Sequence, residues 1–364
     1  MKIKEFIYTL EQMAPPALQE SYDNAGLLIG NPEWPCRDIL LCLDSTEAVI
    51  EEAMRQGCNM VIAHHPIVFS GLKKITGHTY VERTLLKAIR NDIAIYAIHT
   101  NLDNMRRGVN DRIARQLGLQ NCHLLMPKKN LLKFYTYVPE TAAEKVRQAI
   151  FDAGGGVISN YSECSFSTTG YGTFKGNEES RPYLGQPGLR SEEKEIKLEV
   201  ILPDYLENRV LEATQAAHPY EEVAYEFISL TNLNPSEGSG LIGELEEEIA
   251  PVELLERIKV QMNTPCIRHT TLPANKIKKV AVCGGSGSFL LEAAIKAGAH
   301  IFISADYKYH QFFDADGRII IADIGHFESE QYTIDLLKDK ISEKFPTFAV
   351  RLTSIRTNPI NYFI

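Results

Sequence analysis

The sequence predicts an α/β protein: a duplicated α/β main domain with mixed or parallel sheets, interrupted by an inserted ferredoxin-like α+β domain. Three observations predict it. Apolar strand runs alternate with helical periods in both outer parts of the chain, the grammar of a parallel sheet with crossover helices. The middle follows another order, β-α-β-β-α-β. The opening grammar then returns, with Cys42 over Cys283, Gly57 over Gly298 and His65 over Asp306 at one constant offset. The boundaries read 1–127 for the first half of the main domain, 128–235 for the insert and 236–364 for the second half.

In chain order, Ile3, Phe6, Ile7 and Leu10 recur at helical spacing up to the Pro15-Pro16 break. Asn24 and Gly26 mark a turn before an apolar run. A strand over 39–43 leads to a helix over 46–56, capped by Ser45 or Thr46 and stopped at Gly57. A strand over 60–64 then runs into His64, His65 and Pro66, a helix covers 80–90, and a strand over 93–98 opens into His99-Thr100-Asn101-Leu102-Asp103-Asn104. In the insert, strands are expected over 131–138, 164–174, 196–202 and 223–230, with helices over 142–153 and 205–217 and a polar loop over 175–193. After it come a strand over 280–283, a helix over 286–297 and strands over 301–304 and 319–323. A helix over 327–344 follows.

Composition bounds the function. The chain has 364 residues, 44% hydrophobic and 23% charged, as in an ordinary globular protein. Its net charge of -9 argues against sequence-independent binding to nucleic acid, which needs a basic face. Seven scattered cysteines without a Cys-x-x-Cys pair read as buried free thiols in a reducing cytoplasm. No run approaches the ~20 apolar residues that span a bilayer, so a cytoplasmic protein without membrane contact is expected.

Chemistry concentrates after the strands. His64 and His65 close one strand and Asp103 follows another, where open α/β sheets bind ligands. His326 and Glu330 stand one helical turn apart on one face. Three histidines and two carboxylates suit Zn²⁺, Fe²⁺, Mn²⁺ or Co²⁺. Five such ligands exceed what one catalytic zinc needs, and a carboxylate can bridge two ions ~3.5–4 Å apart. Spacing alone leaves plainer readings open: the histidine pair as a strand cap, Asp103 as a turn residue, His326 and Glu330 as a solvated first helical turn.

Several stretches resemble one family in order along nearly the whole chain: Tyr22-Asp23-Asn24-Ala25-Gly26-Leu27, Ala63-His64-His65-Pro66, His99-Thr100-Asn101-Leu102-Asp103, Ser304-Ala305-Asp306-Tyr307-Lys308-Tyr309-His310 and Asp323-Ile324-Gly325-His326-Phe327-Glu328-Ser329-Glu330. These are similar to the dinuclear-metal-centre hexameric proteins known as GTP cyclohydrolase 1 type 2 homologues, in the long bacterial form with an inserted domain. The resemblance implies two divalent ions per subunit (Zn, Fe or Mn), held by His64, His65, Asp103, His326 and Glu330, with Glu330 bridging. It also implies a homohexamer, a trimer of dimers, enclosing the sites behind apertures that admit a small-molecule nucleotide.

A GTP cyclohydrolase adds water at C8 of guanine and releases formate, which needs a proton donor beside the metals. Asp306 and His310 are the candidate acid/base residues, and Lys308, Asn24 and Thr100 the candidate substrate contacts. His310, Asn24 and Thr100 also have ordinary turn or cap readings. Gly284-Gly285-Ser286-Gly287-Ser288 reads as a plain strand-to-helix turn before a phosphate cradle. His218 with Glu221 and Glu222 reads as helix-end turn chemistry before a metal site. The alternatives to a GTP-directed hydrolase are a nucleotide phosphoesterase using the same metals, or a non-catalytic metal-binding scaffold.

Overall fold

Strands buried on both faces read as unbroken apolar runs. Ile39–Asp44, Met60–His65 and Ala94–Ala97 are such runs, and they lie side by side in parallel. Gly26–Ile29 closes one edge antiparallel and Val350–Leu352 the other in parallel, making a five-stranded sheet. In the second half, Ile277–Ser286, Ile301–Ala305 and Ile320–Asp323 repeat the parallel core. Arg268–His269 flanks it on one edge, and Gly238–Ile249 with Gln120–Pro127 on the other, making six strands. The computed structural model describes residues 1–363.

The two halves share more than element order. Leu41 lies opposite Ile62 in one sheet and Val282 opposite Ile303 in the other. The offset that aligns the sequences therefore aligns the strand registers. Helix ends match as well: Gly57 and Gly298 each sit at φ 74, a left-handed conformation that glycine adopts without a Cβ penalty.

Alternation along each strand divides the core. Ile39, Leu41, Met60 and Ile62 join Val280, Val282, Ile301 and Ile303 in one buried cluster shared by the two sheets. Their neighbours Leu40, Val61 and Ala63 pack outward on Val49, Ile50, Leu85 and Ala88 of the crossover helices Glu47–Gln56 and Tyr80–Arg90. The second half does likewise with Ala281 and Phe302 against Leu290, Leu291 and Ala294. Burial on both faces is what makes these runs continuous rather than alternating.

The chain folds as two units, Met1–Pro127 with the residues from Ser236 onward, and Lys128–Pro235. The second unit has strands Leu131–Pro139, Phe166–Lys175, Arg190–Pro203 and Tyr225–Ser229, with helices Ala143–Asp152 and Glu207–Ala217. Its sheet is antiparallel throughout, with the first and third strands central. Phe134, Val146, Ile150, Leu198 and Val210 fill its own core.

Four local expectations need correction. The loop expected over 175–193 is shorter, because Arg190–Glu195 extends a strand paired with Gly170–Lys175. Charged residues there conceal the period-2 alternation. The helix expected over 286–297 is only Leu291–Lys296 after a 3-10 turn, since the preceding strand continues to Ser286. The helix expected over 327–344 is two, His326–Glu330 and Thr333–Lys344. Gln331 and Tyr332 hold the break by donating to the carbonyls of Met262 (2.7 Å) and Gln261 (3.0 Å). All seven cysteines are free, but only Cys36, Cys42, Cys58 and Cys283 are buried, and Cys266 is exposed.

Candidate metal centre

Each candidate ligand of the centre comes from the C-terminal end of a parallel strand or the segment just after it. His64 and His65 end Met60–His65, and Asp44 ends its neighbour Ile39–Asp44. His99 and Asp103 follow Ala94–Ala97, Asp306 follows Ile301–Ala305, and His326 and Glu330 follow Ile320–Asp323. The parallel topology directs all these strand ends to one edge, so both halves contribute.

Three sets of ligand atoms converge, each within 4.8 Å: His64 with Asp103 and Glu330, His65 with His326 and Glu330, and His64 with His65 and His99. Glu330 faces two of them with different oxygens. Its Oε1 lies 3.8 Å from His64 Nε2, while its Oε2 lies 2.9 Å from His65 Nε2 and 3.1 Å from His326 Nε2. All five residues predicted as ligands therefore meet.

Outer partners decide the tautomers. His64 Nδ1 meets the Ile98 carbonyl at 2.8 Å, which can only accept, so Nδ1 carries the proton. His65 Nδ1 donates to Asp44 at 2.8 Å, His99 Nδ1 to Asp23 at 2.7 Å and His326 Nδ1 to Asp306 at 2.6 Å. Each imidazole is thus left with Nε2 for the centre, the arrangement in which an outer acceptor orients a metal-binding histidine. His65 Nε2 and His326 Nε2 approach to 3.3 Å with Glu330 Oε2 beside both. Lone pairs crowded this closely call for protons or a cation between them. His64 Nε2 and Asp103 Oδ1, both buried and 3.6 Å apart, have no hydrogen-bond partner. A cation would satisfy both, so the donor set fits a divalent metal.

The electrostatics agree. Glu330's charge, with Asp306 behind it, draws the His326 pKa up to about 11 against the cost of burial. Burial works against a proton on His65, yet Asp44 and Glu330 raise it to about 9. Burial raises Asp103 to about 7, and the Glu330 charge adds to that. Burial also opposes the Glu330 charge, but His326, with His65, holds it well below the usual carboxylate range. His65 and His326 take protons to balance buried carboxylates, positions where a metal's charge would serve instead.

The other candidates fall unevenly. Asp306, at φ 59 in the left-handed region, holds His326 through Nδ1 and so positions a ligand rather than standing free as an acid. Thr100 bonds Asp23 through its hydroxyl and its backbone N–H, bracing the acceptor of His99. Asn24 donates to the Val68 carbonyl at 2.6 Å, tying down the loop after His65-Pro66. Lys308 and His310 are exposed, at the 3-10 segment Tyr309–Ala315, and neither lines the cavity over the centre. The structure therefore does not bring them to the site. His218 sits at a helix end with Nε2 2.9 Å from the Tyr137 carbonyl, the turn role.

Other functional positions escaped the sequence reading. His99 is a further imidazole at a strand end, a signal present in the motif containing Asp103. Asp44 had no local mark, and Asp23 stood in the Tyr22–Leu27 motif with no role read for it, since only the fold sets them behind His65 and His99. Gly285 is needed by proximity: a Cβ there would lie 2.4 Å from Glu330 Oε1. The C-terminal segment gave no signal at all. Thr357 donates to Asp44 at 2.6 Å and Asn358 to Glu328 at 2.8 Å, and both line the cavity. That cavity measures about 800 Å³.

Fold and site together define a mixed α/β protein with a candidate metal-binding centre of histidines and carboxylates. Residues 1–359 match the family described as Duf34/NIF3 (NGG1p interacting factor 3), and the chain belongs to that family. A protein of Halalkalibacterium halodurans named GTP cyclohydrolase 1 type 2 homolog is 37% identical, over 98% of this chain and 97% of the relative. One of Bacillus subtilis with the same name is 33% identical, over 99% and 98%. A crystal structure of a Bacillus cereus protein related to NIF3 superimposes with TM-score 0.85 at 37% identity, covering 100% of this chain and 99% of that one. The Staphylococcus aureus protein SA1388 gives TM-score 0.79 at 28% identity, with the same coverage. The motif resemblance holds at the level of the family. Among the described residues no helix is long and apolar enough to cross a membrane.

Proposed function

We propose that the chain is a metal-dependent hydrolase with a two-ion centre, acting on a carbon–nitrogen bond of a purine-type ring. The observation that carries it is the division of Glu330, whose Oε1 faces His64 while Oε2 faces His65 and His326, with Asp103 grouped on the His64 side. One set would hold each ion, Glu330 would belong to both, and His99 would complete one of them. Zn²⁺, Fe²⁺ and Mn²⁺ all suit these donors. Bound divalent ions supply Lewis acidity and lower the pKa of water toward neutrality.

The chain's own residues orient and enclose. Ile98 O, Asp44, Asp23 and Asp306 each hold a proton on a histidine Nδ1, fixing the ring that carries it. Burial of His64 and Glu330 keeps bulk water from the inner set. The name of the relatives supplies the reaction to try first, opening of the guanine ring of GTP with release of formate. The hexamer implied by the resemblance belongs to the same proposal and is read by light scattering of the purified chain.

The test is formate release from GTP by metal-loaded protein, against protein stripped with chelator. Formate only from the loaded sample is the expected result. Phosphate without formate would replace the reading with a phosphoesterase. No turnover, with two ions retained, would replace it with a binding scaffold.

A further inference from the structure

We infer that this centre recognises the ring of a planar heteroaromatic ligand and makes no favourable use of a polyphosphate tail, because its cavity is walled by aromatic side chains and carboxylates without one lysine or arginine. The inference rests on the two-ion reading and names its substrate class.

The cavity wall carries Tyr22, Phe69, Tyr80, Phe289 and Phe327. Four of them are exposed, Phe69 by 53% and Phe289 by 62%, as expected for rings that await a stacking partner rather than fill a core. Phe69 also stands edge-on to His99, with ring centroids 5.7 Å apart. A flat ring held by Phe69 would therefore lie directly beside the metal ligands. Stacking of a base on an aromatic side chain is favourable and indifferent to the identity of the base.

Phosphate is recognised by cationic side chains, by backbone N–H groups left open at a turn, or by metal. The first is missing from the wall among the described residues. Arg356 lies over the Phe327 ring but outside the wall, 3.6 Å from the buried Glu328 carboxylate. The second is reduced. At the glycine-rich end of Ile277–Ser286, Gly284 N donates to Asn110 Oδ1 and Gly285 N to Ser329 Oγ, each at 2.9 Å.

The third is outweighed by charge. Two divalent ions bring four positive charges to Asp103 and Glu330, and Asp44, Asp23 and Asp306 stand directly behind the histidines. Glu20 adds a further carboxylate to the wall. The loaded centre is net negative, so a triphosphate of about four negative charges gains no long-range attraction there. A neutral ring meets no such penalty.

The experiment is equilibrium binding of guanosine, GMP and GTP to the full-length, metal-loaded chain at moderate ionic strength. Elemental analysis of the same samples is made after dialysis. Guanosine is expected to bind at least as tightly as GTP. Phe69→Ala should weaken guanosine about tenfold or more while metal content stays unchanged. Phe289→Lys, which sets a cation on the exposed wall, should shift the preference toward GTP by about tenfold. GTP bound more than threefold tighter than guanosine by the unaltered chain would overturn the inference. So would no guanosine binding by protein that retains two ions. Loss of the ions themselves would instead overturn the metal reading beneath it.

Discussion

The Glu330 carboxylate meets His65 Nε2 at 2.9 Å although 265 positions separate the two residues in the chain. Glu330 is 2% exposed, and its other oxygen turns toward His64, which groups with Asp103. One side chain from the second half thus closes two ligand sets whose other members come largely from the first.

Glu330→Gln is therefore expected to cost more metal than Asp103→Asn. The amide keeps the shape but cannot present two anionic oxygens, whereas Asp103 belongs to one set only. Elemental analysis should find fewer than one ion per chain in Glu330→Gln and about one in Asp103→Asn. Circular dichroism serves as the folding control. Equal retention in both would remove Glu330 from its shared position.

Gly285→Ala should act on the same carboxylate from behind. The new methyl would fall 2.4 Å from Glu330 Oε1, and the residue sits at φ 58, which alanine adopts at a cost. A stability loss of ~1 kcal/mol or more, by urea denaturation, is expected together with reduced metal content. A variant with wild-type metal and stability would show that Glu330 has room to move.

Thr357→Val removes a hydroxyl that donates to Asp44 at 2.6 Å, and Asp44 in turn orients His65. An acceptor that orients a metal-binding histidine, as Asp44 does, carries about 10–100-fold in metal affinity, and Thr357 acts through it. Chelator competition should show a loss of about tenfold, and Thr357→Ser should restore it. Failure of serine to rescue would assign the effect to packing of the C-terminal segment.

Stability of the metal-free protein should fall as pH rises. His326 is raised to about 11, by Glu330 first, and His65 to about 9, where Asp44 and Glu330 overcome burial. Both exceed the ordinary ~6.5 of histidine in an unfolded chain, so the fold holds protons the unfolded chain releases. That stabilisation is whole below about pH 6.5 and is lost as pH climbs through 9 toward 11. Asp103, raised to about 7 by burial and Glu330, acts with the same sign at lower pH. Glu330, held low, matters only in acid. Thermal melts of chelator-treated protein should therefore decline between about pH 6.5 and about pH 9. Metal-loaded protein should vary less, its cations replacing those protons. A rising melting temperature in the metal-free protein over this window would contradict the assignment.

Much of this architecture is decided locally. Runs such as Ile39–Asp44, Met60–His65 and Ile301–Ala305 declare buried parallel strands because burial on both faces demands apolar residues throughout. Gly57 and Gly298 mark helix ends because only glycine takes φ 74 freely. The duplication was legible for the same reason, since equal strand spacing in sequence became equal register in the sheets. Topology put His64, His65, Asp103, His326 and Glu330 at strand ends in the sequence, and the family resemblance singled them out as a set.

What tertiary structure alone decided has no local mark. Asp44, Asp23 and Thr357 look like ordinary turn and loop residues, and only folding places them behind His65 and His99. Lys308 and His310 look suited to the chemistry yet face elsewhere, because the turn at Asp306 commits its carboxylate to His326 and carries the following residues away from the cavity. The sequence by itself determined which strands form and which edge their polar ends share. The tertiary structure decided which of those polar groups meet, because a distance of a few ångströms between residues 265 positions apart depends on how two sheets pack on one shared core.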